Sequence, residues 1–375
     1  MVINDLVALS NRYGSNPALV LAGGGNTSAK LDDILYVKAS GTALSSIKAE
    51  GFVKMDRAKL NGILQKQYPE DDGEREAAAL ADLMAARMPG EQDKRPSVET
   101  LLHSLFPQTF VLHLHPALVN GLTCAVDGEK KARELFGGEV LWVGLCKPGS
   151  ILAKICAKAA EAYQKEHGRP VNTLLLQNHG VFIAGNTPEE LDSRLNTVLT
   201  KLEKQLVEIP DFAPGRETAQ TAQIAQKAAE LYGPGSAAVY DGNREAMKLS
   251  VNRESVRPLM RPFTPDHIVY CKAWPLYIEK AGELENEFRA YLAARGAPPN
   301  IVIVKGLGFF ALGRGEPRAQ TARAVFNDAI KIAVYAKSFG GPLAMTEELN
   351  LPVVGAAELQ ITGSVVRRTN CIGQW

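Results

Sequence analysis

Cysteine is scarce in this chain and unpaired in pattern. Five cysteines are scattered over 375 residues, at Cys124, Cys146, Cys156, Cys271 and Cys371, and no two make a Cys-x-x-Cys pair. That argues against a disulfide framework and a thiolate zinc site, and it fits a reducing cytoplasm. Net charge is almost absent, at +1, so composition gives no pointer to nucleic acid or to a membrane surface. No apolar run reaches the length of a membrane span. A Gly-x-x-x-Gly-x-Gly dinucleotide loop is missing. The opening Met1-Val-Ile-Asn-Asp carries acid early and reads as an amphipathic helix, not a signal peptide.

What is present is the composition of an ordinary globular protein, 46% apolar and 22% charged. A chain of this length is comfortable for two compact domains. The strongest break is Glu208-Ile-Pro-Asp-Phe-Ala-Pro-Gly215, with two prolines and a glycine after a strong helical stripe. The expected domains are therefore 1–210 and 216–375.

Coarse periodicity predicts a short helix over 3–12, a brief strand from Leu19 to Ala22, and a strand Ile34–Lys38. Between the two strands lies Gly23-Gly-Gly-Asn-Thr-Ser28, read as a hairpin loop presenting backbone N–H groups. Helices are expected at 76–87, 99–106 and 150–167, and a strand at 110–115. Residues 173–184 form a buried-strand pattern broken at His179-Gly180. Then comes Thr187-Pro-Glu-Glu190, a capping signature with proline at the first helical position. Leu191, Leu195, Val198, Leu199, Leu202 and Leu206 continue it as an apolar stripe.

The second half repeats pieces of the first. Asp33–Ala39 resembles Asp266–Ala273 with one shift, and Leu176–Gly185 resembles Val304–Gly313. Each of the latter pair precedes a proline-initiated helix, at Pro188 and Pro317. Leu307 stands where His179 stands, and no His-x-His lies between the two matching pieces of the second copy. This reads as a degenerate partial repeat that lost its metal site. The competing reading is two unrelated strand–turn–helix units.

The chemistry centres on His113-Leu-His115. Residues two apart on a strand face the same way, so two imidazoles can chelate one divalent ion. His179 interrupts an apolar strand, where an ionisable group needs a partner. Three histidines leave an open coordination position, the catalytic pattern for zinc. Glu99, upstream in Pro-Ser-Val-Glu, is a carboxylate suited to proton transfer. Asn26, Thr27, Ser28, Ser40, Gly41 and Ser97 are small polar residues fit to cradle an anion, although an ordinary tight turn explains the glycine loop equally well. His103, one turn after Glu99, reads as a support for Glu99 or as a core histidine. Lys38 reads as a solvated strand end or an aid to anion binding. Cys124 and Cys146 read as small core residues. His267 has no evident partner, and Arg367-Arg368 reads as a solvated tail pair.

Asn26-Thr-Ser28, Lys38-Ala-Ser-Gly41, Pro96-Ser-Val-Glu99, His113-Leu-His115 and Asn178-His-Gly180 occur in the order of the class II aldolase/adducin family. The resemblance covers about residues 1–210. Pro96–His103, Phe263–His267 and Val304–Phe310 resemble the aldolase half of two-part proteins in which a short-chain dehydrogenase follows. The chain is accordingly expected to be a free-standing relative of that half.

The resemblance implies an α/β/α fold with a mainly antiparallel sheet, followed by a smaller α/β region. It implies zinc or another divalent metal on His113, His115 and His179, and Glu99 as acid/base. It implies a substrate phosphate held by Asn26, Thr27, Ser28, Ser40, Gly41 and Ser97. The implied activity is aldol cleavage of a phosphorylated ketose through an enediolate. The family often draws a tyrosine from a neighbouring subunit for the hydroxyl proton. Glutamate at 99 favours this chemistry over epimerisation, for which the family carries aspartate. A decarboxylase or dehydratase with the same metal site is the alternative enzyme, and a metal-free, adducin-like interaction protein is the alternative of another class. The implied partners are a small sugar phosphate or related anion and further copies of the chain, commonly four in all. Neither nucleic acid nor membrane is expected.

Overall fold

The structure is a computed structural model, and it describes residues 2–346. Cys371 and Arg367-Arg368 lie outside the described residues. Two compact units are present. The described part of the first is 2–123 with 128–205, and that of the second is 124–127 with 206–346.

The first unit is built on seven strands: β1 (Asn26–Leu31), β2 (Ile34–Lys38), β3 (Phe52–Asp56), β4 (Phe110–Leu114), β5 (Leu141–Val143), β6 (Thr173–Leu176) and β7 (Gly180–Gly185). Their order across the sheet is β3-β2-β1-β4-β7-β6-β5. Every pairing is antiparallel except β5 with β6. The central strands β4, β6 and β7 are buried along their whole length. A strand covered on both faces reads as a continuous apolar run, which is why these three carry so little polar alternation.

Helices cover both faces, giving three layers. On one face, Leu35, Val37, Val53, Val111, Leu174, Leu176 and Phe182 form a single core with Leu101, Leu102 and Phe106, and with Leu152 and Cys156 of the helix Ser150–His167. On the other lie the helices Val2–Gly14 and Pro188–Glu203. The Asp192 carboxylate ties these two together, accepting from the Tyr13 hydroxyl and, at 2.6 Å, from Arg12. Leu191, Leu195, Val198 and Leu202 bury the stripe of the second helix, and its Thr187 cap accepts from the Glu190 N–H.

The helix Ser150–His167 begins at Gly149, which has no side chain to cap it and holds φ +97°. Buried Glu76, on the helix Asp72–Ala85, supplies the missing acceptor. Its carboxylate takes the Ser150 hydroxyl at 2.7 Å and the Ser150 N–H at 3.2 Å. A Cβ on Gly149 would sit 2.8 Å from that carboxylate. Glu76→Ala leaves two buried donors unpaired and removes an anion from a helix N-terminus, so it is expected to destabilise the fold by about 1–3 kcal/mol. A urea titration followed by circular dichroism checks this. An unchanged midpoint would remove Glu76 from that role.

Near the N-terminus the chain departs from expectation. Residues 19–22 make no strand. Instead Asn26-Thr-Ser28 begins β1, and the hairpin is β1–β2, closed at Asp32-Asp33 with Asp32 at φ +53°. β1 takes the place between β2 and β4 in the sheet.

The second unit carries β8 (Ser236–Asp241), β9 (Leu276–Ile278), β10 (Ile301–Val304) and β11 (Gly308–Arg314), in the order β8-β11-β10-β9. Ile224, Ala228, Leu284 and Phe288 pack on one face of this sheet. The suggested match of 33–39 with 266–273 fails, because the first is strand β2 and the second lies largely in the helix Pro265–Cys271. His267 is not isolated either. As the third residue of that helix it accepts from the Thr264 N–H at 3.1 Å, and it lies 3.9 Å from Asp328. Among the described residues no helix is long and apolar enough to cross a membrane.

Candidate metal centre

Strand β4 lies between β1 and β7, with His113 opposite Asn26 on one side and Phe182 on the other. The His113 ring stacks on Phe182 at 3.9 Å and is wholly buried. Its Nδ1 lies 3.0 Å from the Val181 carbonyl, which can only accept, so Nδ1 carries the proton and Nε2 keeps a lone pair. His115 follows just past the strand end, and its Nε2 is 2.8 Å from that of His113.

His179 arrives from the break between β6 and β7. Asn178, at φ +55°, donates its N–H to the Thr123 carbonyl at 3.0 Å, and the His179 N–H bonds back to Leu176 at 3.2 Å. Gly180 is required at this point. A Cβ there would overlap the Leu114 carbonyl and come 2.7 Å from the His115 ring. The His-Gly pair is thus the means by which β7 passes close to the end of β4.

Glu99 immediately precedes the helix Thr100–Leu105. Its Oε1 lies 2.9 Å from His113 Nε2 and 3.1 Å from His179 Nε2. Glu99, His113, His115 and His179 each offer one donor atom, all within 4.8 Å of one another. Three imidazole nitrogens and one carboxylate oxygen are the donor set of a divalent first-row metal such as zinc. These four residues fit such an ion.

Burial holds His113 at a pKa of about 4, against the pull of Glu99, so the ring is neutral and able to ligate. His103 is wholly buried and kept neutral by that burial. It bonds Ser28 at 2.8 Å and meets the edge of Phe182. It is a core histidine beneath the centre.

The expected anion-binding residues separate into two groups. Ser97 accepts from the Asn26 amide and, at 3.2 Å, from the Glu99 N–H, so it joins β1 to the start of the Glu99 helix. Ser40 and Gly41 lie exposed on a turn, with Gly41 at φ +83° and the Ser40 N–H bonded to the Arg95 carbonyl at 2.8 Å. The bridge between Ala39 and Pro96 sets this turn beside Ser97. Ser28 is instead buried against His103. Thr27 points to the opposite face, where it bonds Ser10 at 2.7 Å, because neighbours on a strand alternate. Lys38 is buried, not solvated. Burial lowers its pKa, opposed by nearby Glu99.

A layered sheet whose strand ends gather three histidines and a carboxylate around one point is a scaffold with a site that could hold a divalent metal. Residues 4–206 match the family described as Class II Aldolase and Adducin N-terminal domain, and the chain belongs to that family. Among curated proteins it is similar to "Uncharacterized oxidoreductase YuxG" of Bacillus subtilis (strain 168), 23% identical over 396 residues, covering 92% of this chain and 56% of that protein. The chain thus spans about half the length of that relative. Among solved structures it is similar to the N-terminal class II aldolase domain of a conserved protein from Thermoplasma acidophilum, 27% identical, TM-score 0.46, covering 54% of this chain and 92% of that one. Another is L-fuculose-1-phosphate aldolase from Thermus thermophilus, 18% identical, TM-score 0.34, covering 53% and 92%.

Proposed function

We propose that this protein is a divalent-metal-dependent aldolase, with zinc the favoured ion, that cleaves a phosphorylated ketose or related hydroxyketone. The observation that carries this reading is the convergence of Glu99 with His113, His115 and His179, in a chain of the class II aldolase family. A divalent cation held by the three histidines would supply Lewis-acid polarisation of a carbonyl and stabilise the charge of an enediolate.

The chain's own groups do the rest. Glu99 moves the proton on the carbon beside the carbonyl, taking it in aldol addition and returning it in cleavage. In cleavage the bond between C3 and C4 breaks as the C4 hydroxyl gives up its proton to a second base, the part for which the family often draws a tyrosine from a neighbouring subunit. The exposed Ser40-Gly41 turn, with Ser97 and Asn26, presents small polar groups to the substrate's anionic end. Phe182 fixes the plane of His113, and the Val181 carbonyl fixes its tautomer.

The test is metal analysis of the purified chain with a product assay on a panel of ketose phosphates and small keto acids. The expected result is one tightly bound divalent ion per chain, loss of activity on chelation and recovery with zinc. Dihydroxyacetone phosphate and an aldehyde should appear as products. Carbon dioxide release would move the reading to a decarboxylase, and loss of water alone to a dehydratase. Absence of bound metal, with no activity gained from added zinc, would leave a non-catalytic member of the family.

A further inference from the structure

The second unit retraces half of the first in hydrogen-bonding detail. Its strand order β8-β11-β10-β9 runs as β4-β7-β6-β5 does, including one parallel pairing at the far edge. The cores correspond at a constant offset. Leu174, Leu176, Phe182 and Ala184 face the helices of the first unit, and Val302, Val304, Phe310 and Leu312 face those of the second.

Four irregular backbone bonds recur with their donors at the same offset, the acceptors shifting where the connecting segments differ in length. Ala184 N–H bonds Asn172 and Leu312 bonds Asn300. Gln177 bonds Val143 and Lys305 bonds Ile278. Asn178 bonds Thr123 and Gly306 bonds Ser250. His179 bonds Leu176 and Leu307 bonds Val304. Asn178 at φ +55° and Gly306 at φ +67° share the left-handed turn. A Cβ on Gly180 would overlap the Leu114 carbonyl, and one on Gly308 would come within 2.5 Å of the Asp241 carbonyl. General α/β packing does not impose turn-level bonds of this kind.

Register then assigns the ligand positions. His113 pairs with Phe182 across β4–β7, and Tyr240 pairs with Phe310 across β8–β11. The Tyr240 and Phe310 rings pack at 5.2 Å, as His113 and Phe182 pack at 3.9 Å. Two residues on, Gly242 takes the place of His115, and a Cβ there would overlap the Tyr240 hydroxyl. Among the described residues nothing in the second sheet corresponds to β1, β2 or β3.

We propose that the second unit is a half-copy of the first, from the counterpart of β4 through the helix after β7. In it a second metal position has been emptied by Tyr240, Gly242 and Leu307 in the places of His113, His115 and His179. This rests on reading the first unit's cluster as a metal site.

The test is a pair of reciprocal exchanges, read by bound zinc per chain after chelation, reloading and dialysis, with circular dichroism as the check on folding. The wild-type chain is expected to hold one equivalent. The variant Y240H/G242H/L307H should hold two. The reverse exchange, H113Y/H115G/H179L, should stay folded and hold none, because the second unit already folds with those residues.

If the wild type held no zinc, the functional reading would fail first and take this inference with it. A wild type holding one equivalent, with a folded forward variant that gains none, would overturn the half-copy alone. So would a reverse variant that unfolds where H113A/H115A/H179A stays folded. If the forward variant does not fold, the reverse one decides.

Discussion

Replacing Glu99 with glutamine is expected to lower kcat by about 10²–10⁴-fold, the usual contribution of a positioned acid or base. The substitution keeps the shape of the side chain and removes its charge and its capacity to take a proton. Three imidazole donors remain, so bound metal should stay near one equivalent. That split separates the two roles the geometry permits. Glu99 Oε1 lies within 3.1 Å of two of the three histidine nitrogens, close enough to be a fourth ligand. If activity and metal fall together on E99Q, Glu99 is a ligand. If activity falls alone, it is the proton carrier. Full activity with full metal would remove it from the mechanism. Glu99→Asp is a second probe, since it keeps the charge and withdraws it by one methylene, and it should retain part of the activity if reach is the requirement.

Much of this centre was legible in the sequence because its parts obey local rules. His113 and His115 are two apart, and β-geometry alone puts them on one side. His179 stood out as a polar intrusion before a glycine in an apolar strand. What the sequence could not supply was pairing. Thr27 sits between Asn26 and Ser28 in a run of small polar residues, and only the start of β1 at Asn26 shows that it faces the opposite layer. Composition gives no sign that Ser28 is taken by His103.

The repeat shows the same limit from the other side. Leu176–Gly185 and Val304–Gly313 were recognisable because a β-hairpin writes its turn into adjacent residues. In the proposed half-copy the counterpart of β4 is β8, where Ser-Ala-Ala-Val-Tyr-Asp shares no motif with Phe-Val-Leu-His-Leu. The match of residues 33–39 with 266–273 rested on letters alone, with no register behind it. Glu76 was likewise invisible, since a cap delivered from another helix leaves no local signature.

Lys30 was missed for a similar reason, and it carries the largest expected effect on stability. It lies on β1, buried to 7% exposure, with its Nζ 3.1 Å from the Gln108 carbonyl. Burial, helped by Arg57, lowers its pKa from 10.5 to about 7. A lysine whose folded pKa is depressed is favoured neutral. Between about 7 and 10.5 the unfolded chain therefore binds more protons than the folded one, and stability rises with pH across that window. Below it the full burial penalty applies, about 5 kcal/mol, since each tenfold loss of proton affinity is worth about 1.4 kcal/mol. Lys30→Met removes this dependence. It also leaves the Gln108 carbonyl without its donor, a loss of about 1–3 kcal/mol that does not vary with pH. The difference in stability between variant and wild type should therefore change by several kcal/mol from about pH 6.5 to about pH 10, moving in favour of the wild type as pH rises. Urea midpoints of the two proteins at a series of pH values measure it directly. Parallel curves would mean that Lys30 keeps its ordinary pKa, through water or motion at the end of β1.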